Sequence, residues 1–322
     1  MRKVRVDYLD LCRGIAISLI VIGHFISNTV IQEWIYSFHV PVFFIISGFI
    51  LKISNVNKIN LKQYISKRIR KLIVPYYFFS IINTIPLVIV KHFEKEYLID
   101  NVFNILILNG FGALWFLPCL FIAELLFIIL EKNLNSKLIK AFFIIIMFML
   151  TLKLQKSNNS WFYIIIGRSI IALIYVYIGY YIYRYIRKVK VTFINIVILF
   201  LINFTLSQIN GMVELYHLKF NNIFIYFSAA ITGSIALIML SIKFNNINII
   251  NYWGKNSLII MSTHQFIINI IVVLLRRDIT NFIQAILVFI SIMTIEYIII
   301  KIINNKLPIL IGSKRGKGVV MS

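Results

Sequence analysis

Arg13 and His24 stand eleven positions apart within the first long apolar run of the chain, residues 8–29. An ionisable side chain inside a membrane span is expensive and reads by default as functional, with a partner to be found. At about 100° per residue the interval closes on about three helical turns. Both side chains then share one helix face, roughly 16 Å apart along the axis. A guanidinium toward one membrane surface and an imidazole toward the other suit a reaction whose substrates arrive from opposite sides. Imidazole titrates closest to neutral pH and is the side chain best matched to general-base work.

Other chemistry-bearing side chains fall in apolar runs. His39 opens the second run, and the short connection from the first brings it close to His24 at the outer face. His264 lies near the middle of the ninth run, and Glu124, Arg168 and Glu296 fall in the fourth, sixth and tenth. A buried histidine also serves simply to bridge two helices by hydrogen bonding. Either glutamate could pair with Arg13 or orient a histidine, and Asp10, one turn before Arg13, could neutralise it locally. His92 and His217 fall in outer loops, where solvated histidines are expected.

The elements that position these residues follow from composition. Sixty per cent of the 322 residues are hydrophobic and 14% are charged, leaving too little polar surface to cover a soluble domain. The chain reads as an all-α, polytopic membrane protein. Apolar windows of spanning length fall at 8–29, 35–53, 72–91, 112–130, 137–153, 161–183, 191–209, 222–242, 256–275 and 281–303, about ten in all. Segment 102–111 is apolar but short, a candidate re-entrant or interfacial piece. Asp7, Asp10 and the length of the first run argue for an uncleaved span rather than a signal peptide. With the N-terminus inside, inner segments hold 24 of the 33 basic residues and outer segments seven. That asymmetry predicts that both termini are cytoplasmic, in a multi-pass protein of the inner (plasma) membrane.

The net charge of +22 is therefore assigned to topology and to the anionic lipids of the inner leaflet, not to nucleic acid. Its densest point, Lys67-Arg68-Ile69-Arg70-Lys71, reads as a topology anchor or as a phosphate-binding lip, since guanidinium forks suit phosphate oxygens. Cys12 and Cys119 lie in apolar runs and offer no disulfide framework. No HExxH or paired-carboxylate spacing points to a metal. Ser47 adjoins Gly48, a pair of small residues suited to close helix packing. Trp115 and the Tyr76–Tyr77 pair suit stacking on a ligand or an interfacial aromatic belt.

The run from Leu9 to Ile26, LDLCRGIAISLIVIGHFI, resembles the opening of the integral membrane acyltransferase family 3, whose signature is a basic residue, ten residues, then histidine. Further stretches resemble the family in order: FHVPVFFIISGF at 38–49, KRIRKLIVPYYF at 67–78, LWFLPCLFIAELLF at 114–127, IGYYIY at 178–183 and GKNSLIIMSTHQF at 254–266. The Phe-His-x-Pro and Leu-Trp-Phe-Leu pieces look most like the fucose 4-O-acetylase-like branch. The resemblance implies an integral membrane domain over 1–306 and a short basic cytoplasmic tail over 307–322. It also implies transfer of an acyl group, usually acetyl, from cytoplasmic acyl-CoA to a hydroxyl of a cell-envelope, lipid-linked or exported glycan. Polysaccharide biosynthesis or export proteins become possible partners. His24 and Arg13 then carry catalysis: the histidine as general base or as a covalent acyl carrier, the arginine stabilising charge or holding the cofactor. Arg68, Arg70 and Lys71 stand where the family carries its CoA-binding Arg-x-x-Arg, in a variant form. His39, Ser47, Trp115, Glu124, Arg168 and His264 complete the candidate binding residues. A transporter or flippase for a lipid-linked sugar or small anion, or an export scaffold, are the alternatives.

Overall fold

The computed structural model describes residues 6–26, 28–90, 95–110, 112–157, 161–275 and 282–312. Among these the chain is helical, with one isolated β-bridge and no strand. In order come α1 (Asp7–Gly23), α2 (Thr29–Phe38), α3 (Pro41–Ile53), α4 (Leu61–Arg68), α5 (Val74–Val90), α6 (Lys95–Leu106) and α7 (Phe116–Asn133). There follow α8 (Lys137–Ser157), α9 (Trp161–Ile186), α10 (Phe193–Asn210), α11 (Ile223–Phe244), α12 (Asn248–Lys255), α13 (Ser257–Leu275) and α14 (Phe282–Lys306).

Each of the ten apolar windows carries helix. Among the described residues, six helical stretches are long and apolar enough to cross a membrane: Thr29–Ile53, Gly112–Asn133, Trp161–Ile186, Phe193–Asn210, Ile223–Phe244 and Phe282–Lys306. The protein is thus all-α and polytopic. With 17 residues, α1 rises only about 26 Å, short of a hydrocarbon core of about 30 Å.

Helix boundaries depart from the apolar windows where local chemistry dictates. The first helix stops at Gly23, making His24 its C-cap. The second starts early, at Thr29, because the Asn28 side chain accepts the Ile31 N–H at 3.1 Å. It breaks at His39–Val40, because Pro41 has no N–H to continue the ladder. Ahead of the third apolar window, α4 starts at Leu61 under the Asn60 cap, so Lys67–Lys71 lies within helix rather than in a loop before that window. Pro75 removes the next donor along, and Ile69–Ile73 widens into a π-turn in which Val74 N–H reaches Ile69 O.

The chain forms two compact units: Met1–Ser54, Ala172–Ser257 and Arg276–Phe289, and Asn55–Ile171, Leu258–Leu275 and Ile290–Ser322. In the first, glycines set the helix crossings. A Cβ on Gly48 would lie 2.2 Å from the Val176 carbonyl oxygen, and one on Gly179 2.2 Å from that of Ile45. So α3 and α9 touch backbone to backbone, with Ser47 buried beside the crossing. A Cβ on Gly254 would lie 1.7 Å from the Asp10 carbonyl oxygen, so α12 rides directly on the first turns of α1.

In the second unit, residues 107–110 leave the helix at the end of α6. Leu108, Gly110 and Gly112 all take positive φ, 64°, 72° and 56°, before a 3-10 turn, Gly112–Trp115, leads into α7. Of the piece expected to be re-entrant or interfacial, 102–111, residues 102–106 belong to α6 and 107–110 to this irregular stretch. The tail expected from residue 307 opens with a 3-10 turn, Pro308–Ile311. Gly312 follows with its Cβ position 2.6 Å from the Arg70 carbonyl oxygen. His92 and the basic residues of the tail, Lys314, Arg315 and Lys317, lie outside the described residues.

Candidate active site

His24 ends α1 in helical geometry (φ −82°, ψ −15°), so the eleven-residue register with Arg13 is kept. Its side chain is exposed on the bare protein. The Tyr36 ring lies edge-on to it at 6.3 Å between centroids, and packs against His39 at 4.9 Å. Glycine permits this approach: a Cβ on Gly23 would meet Tyr36 Cε2 at 3.1 Å. Gln32 ties the two helices together by donating to the Gly23 carbonyl at 3.1 Å.

The tautomer of His39 follows from its partner. Its Nδ1 lies 2.7 Å from the Ile35 carbonyl oxygen, which can only accept, so Nδ1 carries the proton and Nε2 presents a lone pair. His264 in α13 is held the same way, by Nδ1 donating to Ile260 O at 2.7 Å, and is fully buried. The short connection between the first two runs was enough to pair His24 with His39. Tyr36, the ring between them, was missed; only the helical offset of three from His39 signalled it.

Arg13 meets Asp10 at 3.4 Å, with the carboxylate nearly buried and the guanidinium about a quarter exposed. Of the possible partners for Arg13, this is the local one. The turn is braced by α12: the Asn251 side chain donates to Asp7 O at 3.0 Å, and Gly14 and Gly254 admit the neighbouring backbone.

The second unit holds two polar clusters. In one, fully buried Glu124 accepts from Tyr64 OH at 2.9 Å and forms an ion pair with Arg68, whose Nε donates to Tyr64 OH at 3.0 Å. Arg68 is therefore turned inward onto a carboxylate. Arg70 is exposed, its contact being Ser66 Oγ at 3.4 Å, and Lys71 is half-buried on the same π-turn. Tyr64 was also missed. It sits one turn before Arg68, a relation visible only once the helix is known to begin at Leu61.

In the other cluster, buried Arg168 donates to the Asn109 carbonyl at 3.0 Å and side-chain oxygen at 3.3 Å, and lies 5.5 Å from the Trp115 ring. Tyr76 OH donates to Ile105 O at 3.0 Å and accepts from Gly110 N–H at 3.1 Å, while Gln265 accepts from Ala113 N–H at 2.9 Å. Arg168, Trp115 and Tyr76 thus hold the irregular segment, whose backbone would otherwise lack partners. Glu296, in α14, accepts from Thr263 Oγ1 at 2.8 Å.

The arrangement can perform base chemistry at the His24–Tyr36–His39 cluster and can hold anions at the exposed Arg70 end of the π-turn. Searches of the curated proteins and of the solved structures returned no match. The family model for the acyltransferase domain of family 3 matches residues 6–301, a stretch that includes every candidate residue named above. The chain therefore belongs to acyltransferase family 3 and is a membrane acyltransferase.

Proposed function

We propose that the protein is an O-acyltransferase that moves an acyl group, acetyl in the simplest case, from cytoplasmic acyl-CoA to a hydroxyl of a cell-envelope, lipid-linked or exported glycan. The observation that carries this reading is the cluster of two imidazoles around Tyr36, at the end of α1 remote from Arg13. His24 removes the proton from the acceptor hydroxyl as its oxygen attacks the thioester carbonyl, and the thiol of CoA leaves. His39, with Nε2 as acceptor, supports the same proton transfer. Arg13 steadies negative charge on the donor or on the developing oxyanion.

On the cofactor side the residue set fits a phosphate-rich donor through Arg70 and Lys71, with Lys67 beside them. Arg68 contributes by fixing the π-turn that displays them. The Phe-His-x-Pro and Leu-Trp-Phe-Leu stretches favour the fucose 4-O-acetylase-like branch and hence a sugar acceptor. We place the enzyme in the plasma membrane with cytoplasmic termini, beside the proteins that make or export the glycan.

The test compares envelope and exported glycans from a deletion strain complemented with wild type or with His24→Ala, by mass spectrometry and proton NMR. Loss of one ester, restored by wild type alone, is the expected result. Unchanged esters in every strain would sink the reading. A transporter of a lipid-linked sugar is the second reading, favoured by the irregular stretch at 107–110. It predicts uptake or flipping without consumption of acyl-CoA.

A further inference from the structure

Pro75 disturbs the backbone of the basic lip one step further back than the π-turn alone suggests. Val74 N–H is committed to the Ile69 carbonyl, and Pro75 has no N–H to give. These are the two donors that serve the Arg70 carbonyl in α and in π geometry, so both regular donors are lost to it. What lies on that carbonyl is the far end of the chain.

Pro308 halts the run of α14, where Leu307 N–H still donates to Ile303 O at 3.0 Å. The 3-10 turn Pro308–Ile311 then packs on α5 and on the π-turn. It is closed by Leu310 N–H on Leu307 O and Gly312 N–H on Ile309 O, both at 3.0 Å. Gly312 takes φ of 66° and ψ of 22°, the left-handed region. A Cβ on it would lie 2.6 Å from the Arg70 carbonyl oxygen, 2.9 Å from the carbonyl carbon and 3.0 Å from Lys71 Cγ. Only glycine meets both demands, a positive φ and an approach to backbone that cannot swing aside.

The contact falls on the peptide joining Arg70 to Lys71, the two residues read above as the donor-phosphate lip. Arg70 is exposed and its contact with Ser66 Oγ is long, at 3.4 Å, while the stem of Lys71 runs beside Gly312. A π-turn is a rare excursion from helix that concentrates at functional sites. Here it is pinned from outside by a segment distant in sequence.

We propose that Leu307–Gly312 is a strap that positions the acyl donor. Seated on the Arg70–Lys71 peptide, Gly312 sets the direction in which both side chains leave the π-turn. It thereby sets the spacing of the two cations that meet the donor's phosphates. Gly312 is a positioning residue, acting through Arg70 and Lys71. This rests on the acyltransferase reading above and extends the donor site to the residues that follow α14. Two long side chains aimed in advance lose less freedom when the donor binds.

The experiment uses the purified chain in lipid nanodiscs, with radiolabelled acetyl-CoA and the cells' own envelope glycan stripped of esters by mild base. Gly312→Ala should raise the acetyl-CoA KM about tenfold, the cost of ordering two long side chains afresh. The acceptor KM and kcat should stay within about twofold. Ile309→Ala, exposed on the same strap, should change none of the three. Gly312→Asn should match Gly312→Ala, because asparagine tolerates the left-handed backbone but still brings a Cβ. Wild-type behaviour of the asparagine variant would overturn the contact with Arg70 as the cause. In an Arg70→Ala, Lys71→Ala background, Gly312→Ala should add less than about twofold, since its targets are gone. A full further rise would overturn the strap's role, as would a lower kcat or melting temperature with the donor KM unchanged. Chains ending at Gly312 and at Lys306 remove the strap without a collision, and only the second should show the raised donor KM. Equal values would overturn the proposal and leave the acyltransferase reading intact. No consumption of acetyl-CoA by wild type would overturn both.

Discussion

Glu124 and Arg68 are 56 residues apart in sequence, and each reads alone as a site residue. Brought together with Tyr64, they form a buried pair whose first duty is structural. Removing one partner leaves the other charge uncompensated and is expected to destabilise by about 3–5 kcal/mol. Arg68→Met and Glu124→Met should each lower the melting temperature in detergent markedly, while the double substitution recovers most of the loss. Equal, additive losses would show that the two residues do not depend on each other. Arg70 should behave differently: Arg70→Ala leaves thermal stability unchanged and raises the KM for acyl-CoA, because its guanidinium is exposed and its contact with Ser66 is long. His39 tests the proton path. His39→Ala should lower kcat well below wild type yet above His24→Ala, measured as transfer of labelled acetyl. His24 and His39 were legible as a pair, since a short connection between apolar runs leaves them nowhere else to go. Tyr36 and Tyr64 were not, because an aromatic carries no signal until its neighbours are known.

Among the helices, α12 shows most clearly how an element positions a side chain it does not itself carry. Its Gly254 lies against the Asp10 carbonyl, the residue whose carboxylate meets Arg13. A methyl group there would collide with backbone, which has little room to move, and overpacking of this kind costs about 1–3 kcal/mol. Gly254→Ala is expected to cut acyl transfer and lower thermal stability together, whereas Ile249→Ala, at an exposed position of the same helix, should do neither. Unaltered transfer in Gly254→Ala would mean that the α12 crossing does not set the Arg13 turn. The π-turn at Ile69–Ile73 is a second case. Its cause, Pro75, was written in the chain, but apolar periodicity placed the basic cluster in a loop, because a run so rich in Lys and Arg fails any hydropathy threshold. Asn60 as a cap, and good helix formers after it, carried the correct signal.

For the molecule as a whole, the basic-residue asymmetry makes a topological prediction that cysteine labelling can check. Cys12 and Cys119 are buried, so the wild-type chain gives a silent background. His217→Cys should react with an impermeant maleimide on intact cells, and Lys188→Cys only after the membrane is opened; the reverse pattern would invert the site. By itself the sequence determined the class of the protein. An all-α, multi-pass membrane chain follows from apolar run length and charge asymmetry, and family membership from six short stretches in order. Run length and local order are one-dimensional quantities, so one dimension suffices to read them. The tertiary structure alone decided which distant partner each buried charge meets: Arg68 on Glu124, Arg168 on the carbonyl of Asn109. A buried charge takes whichever partner the packing of distant helices delivers. In this chain that packing is set by glycines whose missing Cβ lets one backbone meet another.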